Sequence, residues 1–144
     1  MSSPTVAILV RTKGRPRFLS RALENIAQQT FTDYTVCVIN DGGDEQATRA
    51  VIEASPLGSG RVQLLTTAGG NMEAASNAGL AATTSTYVAI HDDDDLWAPE
   101  FLERTVAALE ESGALMCTTR VVERYERKNT EGEFEVYEER IFHD

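Results

Sequence analysis

Short apolar runs recur along the chain, and each is followed by residues at helical spacing. Residues 6–10 and 35–40 are typical of strands buried on both faces, and residues 62–65 and 87–90 continue the series. Helices are predicted from Pro16, over residues 45–54, from Asn71 to Ala82 and from Pro99. Strands that alternate with helices favour an α/β fold, with a mainly parallel sheet covered by helices on both faces.

The end of the chain has a different pattern. A further strand is predicted over residues 115–122, and the charged stretch 123–140 alternates around an Asn129-Thr130-Glu131-Gly132 turn signal, which predicts an exposed antiparallel hairpin. The chain has 144 residues, the size of one hydrophobic core, so residues 1–144 are predicted to form a single domain.

The acidic composition narrows the possible partners. Asp and Glu outnumber Lys and Arg by 23 to 13, and the formal charge of −10 argues against nucleic acid. Five basic residues still crowd positions 11–21, either as a patch for a small anion such as a diphosphate or as the solvated start of a helix. No apolar run approaches the ~20 residues of a transmembrane helix.

The cysteines and the N-terminus bear on location. Cys37 and Cys117 lie inside apolar runs without the spacing of a zinc or redox site, so both are predicted to be buried, reduced thiols. Residues 1–5 are too short and polar for a signal peptide. These features favour a cytoplasmic protein.

Two of the loops that follow predicted strands are acidic. In open α/β sheets ligands bind outside the carboxyl ends of the strands, so these loops are where chemistry is expected. Asp41 follows the second strand and has two possible roles: a hydrogen-bond acceptor for a nucleobase imide or ribose hydroxyl, or an Asx turn with Gly42 and Gly43.

The aspartate run, Asp92 to Asp95, follows the fourth strand. Adjacent carboxylates about 5 Å apart at an effective dielectric constant of about 20 repel by on the order of 3 kcal/mol per pair, and Mg²⁺ or Mn²⁺ would reverse this repulsion. At a strand end, Asp92 and Asp94 are expected to point one way and Asp93 the other. The alternative is a polar loop in which Asp95 caps the next helix.

The sequence argues against two other kinds of binding site, a calcium EF-hand and a glycine-rich phosphate-binding loop, and leaves the role of His91 open. An EF-hand would place Leu96 and Trp97 where an oxygen ligand and a glycine belong. The GxxxxGK[ST] and GxGxxG phosphate-binding fingerprints are missing from the sequence. His91 is either a metal ligand or an inert neighbour of the run.

Two long stretches carry a family resemblance. ILVRTKGRPRFLSRALENIAQQTFTDYTVCVINDGGD and NMEAASNAGLAATTSTYVAIHDDDDLWAPEFLE resemble, in order and spacing, the GT-A family-two glycosyltransferases. That family opens with a buried strand and a P-T-Y-N-R-like loop, then a helix ending in a Q-T-like turn, a strand ending in D-D-G-S and a later D-x-D. The match runs from Val6 to about Val122 and implies a Rossmann-like GT-A three-layer sandwich.

The resemblance also implies an activity and a site. The implied activity is transfer of a sugar, with inversion, from a nucleotide-diphosphate donor, a UDP-sugar above all, to a saccharide or other hydroxyl acceptor. The implied cofactor is Mn²⁺ or Mg²⁺. Asp41 would recognise the base, and Asp94 would hold the metal with Asp92. The remaining donor contacts it implies are Arg11 and Thr12 in the base pocket, Arg15 nearby, and Asp92 or Asp93 on the ribose side.

Departures from the family pattern mark where this chain differs. Arg11 replaces the common proline, Lys13 and Gly14 replace a Tyr-Asn pair, and Ser76 replaces an arginine near the diphosphate. Lys13 or Arg15 is a candidate for the missing positive charge.

The general base of the family lies beyond residue 144, so the catalytic residue is unknown, and the chain is expected to be the N-terminal portion of a longer enzyme. Glu123, Glu126 and Asp144 offer no geometric reason for choosing among them. Two alternatives remain: a non-catalytic nucleotide-binding module of the same fold, and a sugar-1-phosphate nucleotidyltransferase, for which the Arg-Thr-Lys-Gly-Arg loop is a poor match.

Overall fold

The computed structural model describes residues 3–142, so Asp144 lies outside the described residues. The chain divides into two compact units, Met1–Arg104 and Thr105–Asp144; the prediction of a single domain stays a prediction. The strands are β1 Val6–Thr12, β2 Tyr34–Asp41, β3 Val62–Thr67, β4 Tyr87–Asp92, β5 Val122–Lys128 and β6 Phe134–Ile141. The helices are α1 Pro16–Ala27, α2 Glu45–Ala54, α3 Gly58–Arg61, α4 Met72–Ala82 and α5 Phe101–Ser112.

Strands β1 to β4 form one parallel sheet in the order β3-β2-β1-β4. The chain builds outward from β1 to β3 and then returns to place β4 on the other side of β1. The carboxyl ends of β1 and β4 therefore flank the point where the strand order reverses, which is where open α/β sheets bind ligands. The predicted parallel sheet is confirmed.

Apolar side chains fill both faces of the central strands. Residues 6–10 of β1 and 36–39 of β2 are buried, as their uninterrupted apolar runs predict. On one face, Leu9 and Ile39 pack against α4. Gly79 makes this approach possible, because a Cβ atom there would lie 2.8 Å from Ile39 Cδ1.

Helix α1 holds the other face. Its buried residues are Leu19, Ala22, Leu23 and Ile26, the spacing of one helical stripe. Because side chains alternate along a strand, odd-numbered residues of β1 face α4 and even-numbered ones face α1. The same alternation governs the polar residues at the strand ends.

The predicted strand over residues 115–122 is wrong. Residues 113–121 are irregular and only Val122 enters a strand, that of the hairpin. Leu115 and Met116 are exposed, and so is Cys117, contrary to its predicted burial. An apolar run becomes a buried strand only where a neighbour pairs with it and another layer covers it; within the described structure these residues lack both. Cys37 is buried as predicted.

The predicted hairpin is confirmed. Strands β5 and β6 pair antiparallel, and the side chain of Asn129 closes the turn by accepting hydrogen bonds from the backbone N–H groups of Glu131 and Glu133. Gly132 supplies the left-handed conformation there, with φ of 81°. No helix between residues 3 and 142 is long and apolar enough to span a bilayer.

Candidate functional site

Arg11 and Asp92 are direct neighbours in the β1–β4 register, at the carboxyl edge of the sheet. Arg11 Nε donates to Asp92 Oδ1 at 2.7 Å. On the α4 side, its Nη1 lies 3.2 Å from Ser76 Oγ and 3.4 Å from the carbonyl of Met72. Arg11 therefore joins the aspartate run to the first turns of α4.

Asp93 points to the opposite face, as the alternation predicts. Its carboxylate accepts a hydrogen bond from Thr12 Oγ1 at 2.7 Å and from Arg15 Nε at 3.2 Å, and Arg15 Nη2 completes a bidentate pair. The Asp93 side chain is 0% exposed, whereas that of Asp94 is 49% exposed and touches only the rim of the same guanidinium, at 3.2 Å from Arg15 Nη1. Asp93 is an internal anchor, and Asp94 faces solvent.

The four carboxylates of the run lie close together. Two guanidinium groups pair with three of them: Arg11 with Asp92, and Arg15 with both Asp93 and Asp94. Burial raises the pKa of Asp93, while the Thr12 hydrogen bond and the Arg15 charge act in the opposite direction. Burial also raises the pKa of Asp95, and the charges of Asp92 and Asp94 add to the rise. An additional cation is favoured here.

The run itself is a tight turn. The N–H group of Asp95 donates to the carbonyl of Asp92 at 3.0 Å. Helix α5 begins only at Phe101, after a turn at Pro99 and Glu100, so the alternative role of Asp95 as the cap of that helix is wrong. The predicted start of the helix at Pro99 is two residues early.

His91 is buried beneath the run, and both of its ring nitrogens face oxygen acceptors, so a neutral ring donates to only one of them. Nδ1 lies 2.7 Å from the carbonyl oxygen of Asp92, and Nε2 lies 3.3 Å from Asn25 Oδ1. Burial lowers the pKa of His91. Its nitrogens are thus directed at protein atoms, which favours the inert alternative over a metal ligand.

Asp92 and Asp94 supply hard oxygen donors without forming a cage. Within residues 3–142, no three His, Cys, Asp or Glu side chains converge as a metal-binding group. One or two carboxylates, completed by waters and a substrate phosphate, is the arrangement that Mg²⁺ commonly takes. The donor set at the run fits that arrangement.

Asp41 lies at the end of β2, next to β3. Thr67 Oγ1 donates to its Oδ1 at 2.7 Å, and the N–H group of Gly70 points at its Oδ2 from 3.3 Å. Asn40, not Asp41, holds the glycine turn, through bonds between its amide and the N–H and carbonyl groups of Gly43. Asp41 is therefore oriented towards the segment preceding α4, the helix that Arg11 also contacts.

Glycines bring the loops after the first three strands into backbone contact. A Cβ atom on Gly42 would lie 3.1 Å from Gly69 Cα, and one on Gly43 would lie 2.6 Å from Asn40 Oδ1 and 2.9 Å from the Gly14 nitrogen. These contacts fix Asp41 between the basic loop after β1 and the loop after β3.

Gly43→Ala is expected to destabilise the protein by about 1–3 kcal/mol, because a methyl group overpacks a site bounded by backbone. Urea unfolding measures the change. Gly60→Ala is the matched control, since a Cβ atom there would meet nothing within 4 Å. Equal stability of the two variants would show that the loop contact at Gly43 is loose.

Sequence patterns did not reveal several partners in this site. Thr67 and Gly70, which orient Asp41, lie beyond the predicted strand over residues 62–65, and Asn25, which reaches His91, lies in the predicted helix from Pro16. The sequence indicated no role for any of the three. The one sequence feature that could have indicated such a contact is Asn25, a polar residue next to the apolar stripe of α1.

Comparison with known proteins identifies the family. The family model described as Glycosyl transferase family 2 matches residues 7–143. The chain belongs to glycosyl transferase family 2. An uncharacterized glycosyltransferase of Nostoc sp. is 27% identical to it over 107 residues, which cover 74% of this chain and 33% of the relative.

Solved structures of glycosyltransferases have a similar fold. The mannosyltransferase PcManGT from Pyrobaculum calidifontis, in complex with GDP-Man and Mn²⁺, is 26% identical with a TM-score of 0.65, over 76% of this chain and 33% of that one. S. aureus TarS 1-349, in complex with UDP-GlcNAc, has a TM-score of 0.64 at 20% identity, over 74% and 31% of the two chains. The predicted GT-A fold is confirmed. The family 2 chain spans about a third of the length of these relatives.

Proposed function

We propose that this chain binds the nucleotide-diphosphate sugar donor of an inverting glycosyltransferase, with Mn²⁺ or Mg²⁺ held by Asp94 and Asp92. The observation that carries the proposal is the contrast within the run: Asp93 is buried against Thr12 and Arg15, while Asp94 is half exposed at the carboxyl edge of the sheet. A solvent-facing carboxylate on an anchored turn is suited to a cation that also binds a phosphate.

The other residues contact different parts of the nucleotide. Asp41 accepts a hydrogen bond from the base, and its fixed orientation by Thr67 leaves further lone pairs for this. Arg11 and Thr12 border the base pocket at the end of β1. Asp92 takes the ribose side in preference to Asp93, because the Asp93 carboxylate is fully buried.

The reaction proposed is displacement at the anomeric carbon. The acceptor oxygen, from a saccharide or another hydroxyl compound, forms the new bond as the bond to the diphosphate oxygen breaks. The hydroxyl proton passes to a general base, which the family resemblance implies lies beyond residue 144. When bound, the metal would offset negative charge on the nucleoside-diphosphate leaving group. Arg15, which already contacts Asp94 at 3.2 Å, adds positive charge to the same region.

Calorimetric titration with UDP and GDP, with and without Mn²⁺, tests the proposal. We expect binding that requires the metal, with UDP the preferred nucleotide. Failure of every nucleoside diphosphate to bind in the presence of metal would refute it. Metal-dependent binding without transfer or hydrolysis of a UDP-sugar would instead support the alternative of a non-catalytic module of the same fold.

Lys13→Gln is expected to weaken binding of UDP about 3- to 10-fold, the scale of losing one exposed charge contact. Lys13 is exposed in the loop after β1, and across the described chain it has no ion-pair partner, unlike Arg11 and Arg15. Its charge is therefore available to a diphosphate. The same titration measures the effect, with Lys128→Gln on β5 as the control for net charge; equal affinities of the two variants would exclude a role for Lys13.

A further inference from the structure

Asn25 of α1 forms a two-point contact with the backbone of Trp97. Its Nδ2 donates to the carbonyl of Trp97 at 2.9 Å, and its Oδ1 accepts from the N–H group of Trp97 at 2.8 Å. One side chain thereby fixes both polar backbone groups of a residue that lies two positions beyond Asp95. The exit of the aspartate turn is attached to α1.

The same amide reaches the entrance of the turn. Asn25 Oδ1 lies 3.3 Å from Nε2 of His91, the residue immediately before Asp92. The His91 ring is fully buried, lies against the Trp97 ring at 4.5 Å between centroids, and is linked through Nδ1 to the carbonyl of Asp92. Asn25 therefore contacts the residues that bracket the run on both sides.

We infer that Asn25 is a positioning residue that holds the aspartate turn in the shape in which Asp94 meets the metal. It touches no ligand in this role and acts through His91 and Trp97. The inference rests on the proposed function of Asp94. Residues that orient metal ligands through such contacts typically change metal affinity about 10- to 100-fold when removed.

Gln29 provides a matched comparison just beyond the C-terminal end of the same helix. Its Nε2 donates to the carbonyl of Ala98 at 2.9 Å, and its Oε1 accepts from the N–H group of Leu102 at 3.2 Å. Gln29 thus makes the same kind of two-point amide contact, about one helical turn further on, but only with the segment after the run. Truncation of the Gln29 side chain therefore removes a similar set of hydrogen bonds but leaves the contact between Asn25 and His91 intact.

Hydrogen exchange without ligand tests the positioning itself. In Asn25→Ala, the Asp95 amide, which donates to the carbonyl of Asp92 at 3.0 Å, is expected to exchange about 10-fold faster or more, whereas Gln29→Ala leaves it within about 3-fold of the parent. Trp97 is the only tryptophan, so its fluorescence reports the same segment. Equal acceleration in both variants would overturn the inference.

Titration of Mn²⁺ and UDP tests the consequence for the metal. Asn25→Ala is expected to weaken metal-dependent binding about 10- to 100-fold, and Gln29→Ala less than about 3-fold at matched loss of urea stability. Asn25→Asp, which retains an acceptor for the Trp97 N–H group, is expected to lie between them. If the parent protein does not bind UDP, the proposed function fails while the exchange result still decides whether Asn25 holds the turn.

Discussion

Asp94→Asn is expected to weaken Mn²⁺-dependent binding of UDP by about 100-fold, equivalent to about 2.7 kcal/mol. Asparagine keeps the shape of the side chain and removes the charge that a hard divalent cation prefers. Because Asp94 is half exposed and contacts only Arg15 Nη1, the folded protein loses little. The free energy of unfolding is expected to change by less than about 0.5 kcal/mol.

Asp95→Asn is the control for Asp94→Asn. It removes one negative charge from the same turn. The hydrogen bond of Asp95 to the carbonyl of Asp92 is donated by the backbone N–H group, so the substitution leaves that bond in place. Its UDP affinity is expected to stay within about 3-fold of the parent. Metal-dependent binding that survives Asp94→Asn would refute the assignment of this carboxylate to the metal.

Asp93→Ala is expected to lower the free energy of unfolding by about 2 kcal/mol. The substitution removes the acceptor for Thr12 Oγ1, itself nearly buried, and the bidentate partner of Arg15. The partial exposure of Arg15 limits the loss, because water solvates the freed guanidinium. Thermal unfolding should show a midpoint lower by about 4–8 °C.

Two variants separate the contributions at Asp93. Asp93→Asn keeps an oxygen for Thr12 and loses the charge, so its stability is expected between those of the parent and of Asp93→Ala. Asp95→Ala, on the same turn, is expected to cost less than about 1 kcal/mol. If Asp93→Ala is no less stable than Asp95→Ala, Asp93 is not the anchor of the turn.

The sheet and the convergence of its loops were predictable because burial leaves a pattern in the sequence. The apolar runs of β1 and β2 correspond to strands that are covered on both faces, and parallel strands bring their carboxyl ends to one edge. The opposite orientations of Asp92 and Asp93 follow from the same alternation. Asp94, predicted to point with Asp92, instead contacts the Arg15 guanidinium that Asp93 also contacts, because the alternation ends where β4 gives way to the turn. The local sequence pattern was therefore sufficient to predict a residue's environment where that environment is set by the strand or helix in which the residue lies.

Contacts that depend on distant residues were not predictable in this way. The apolar pattern of residues 115–122 does not specify a pairing partner, and all of these residues are exposed. The bonds of Asn25 to Trp97 span 72 positions in the chain and join a side chain to backbone atoms, so no spacing rule describes them. Asp95 precedes a helix by too many residues to cap it, a distance set by the turn at Pro99.

The close approach of Gly79 to Ile39 constrains which residues relatives can carry at these two positions. A Cβ atom at position 79 would lie 2.8 Å from Ile39 Cδ1, so a larger residue at 79 requires a shorter one at 39 or a shift of α4 away from the sheet. In aligned relatives the two positions are therefore expected to covary in volume.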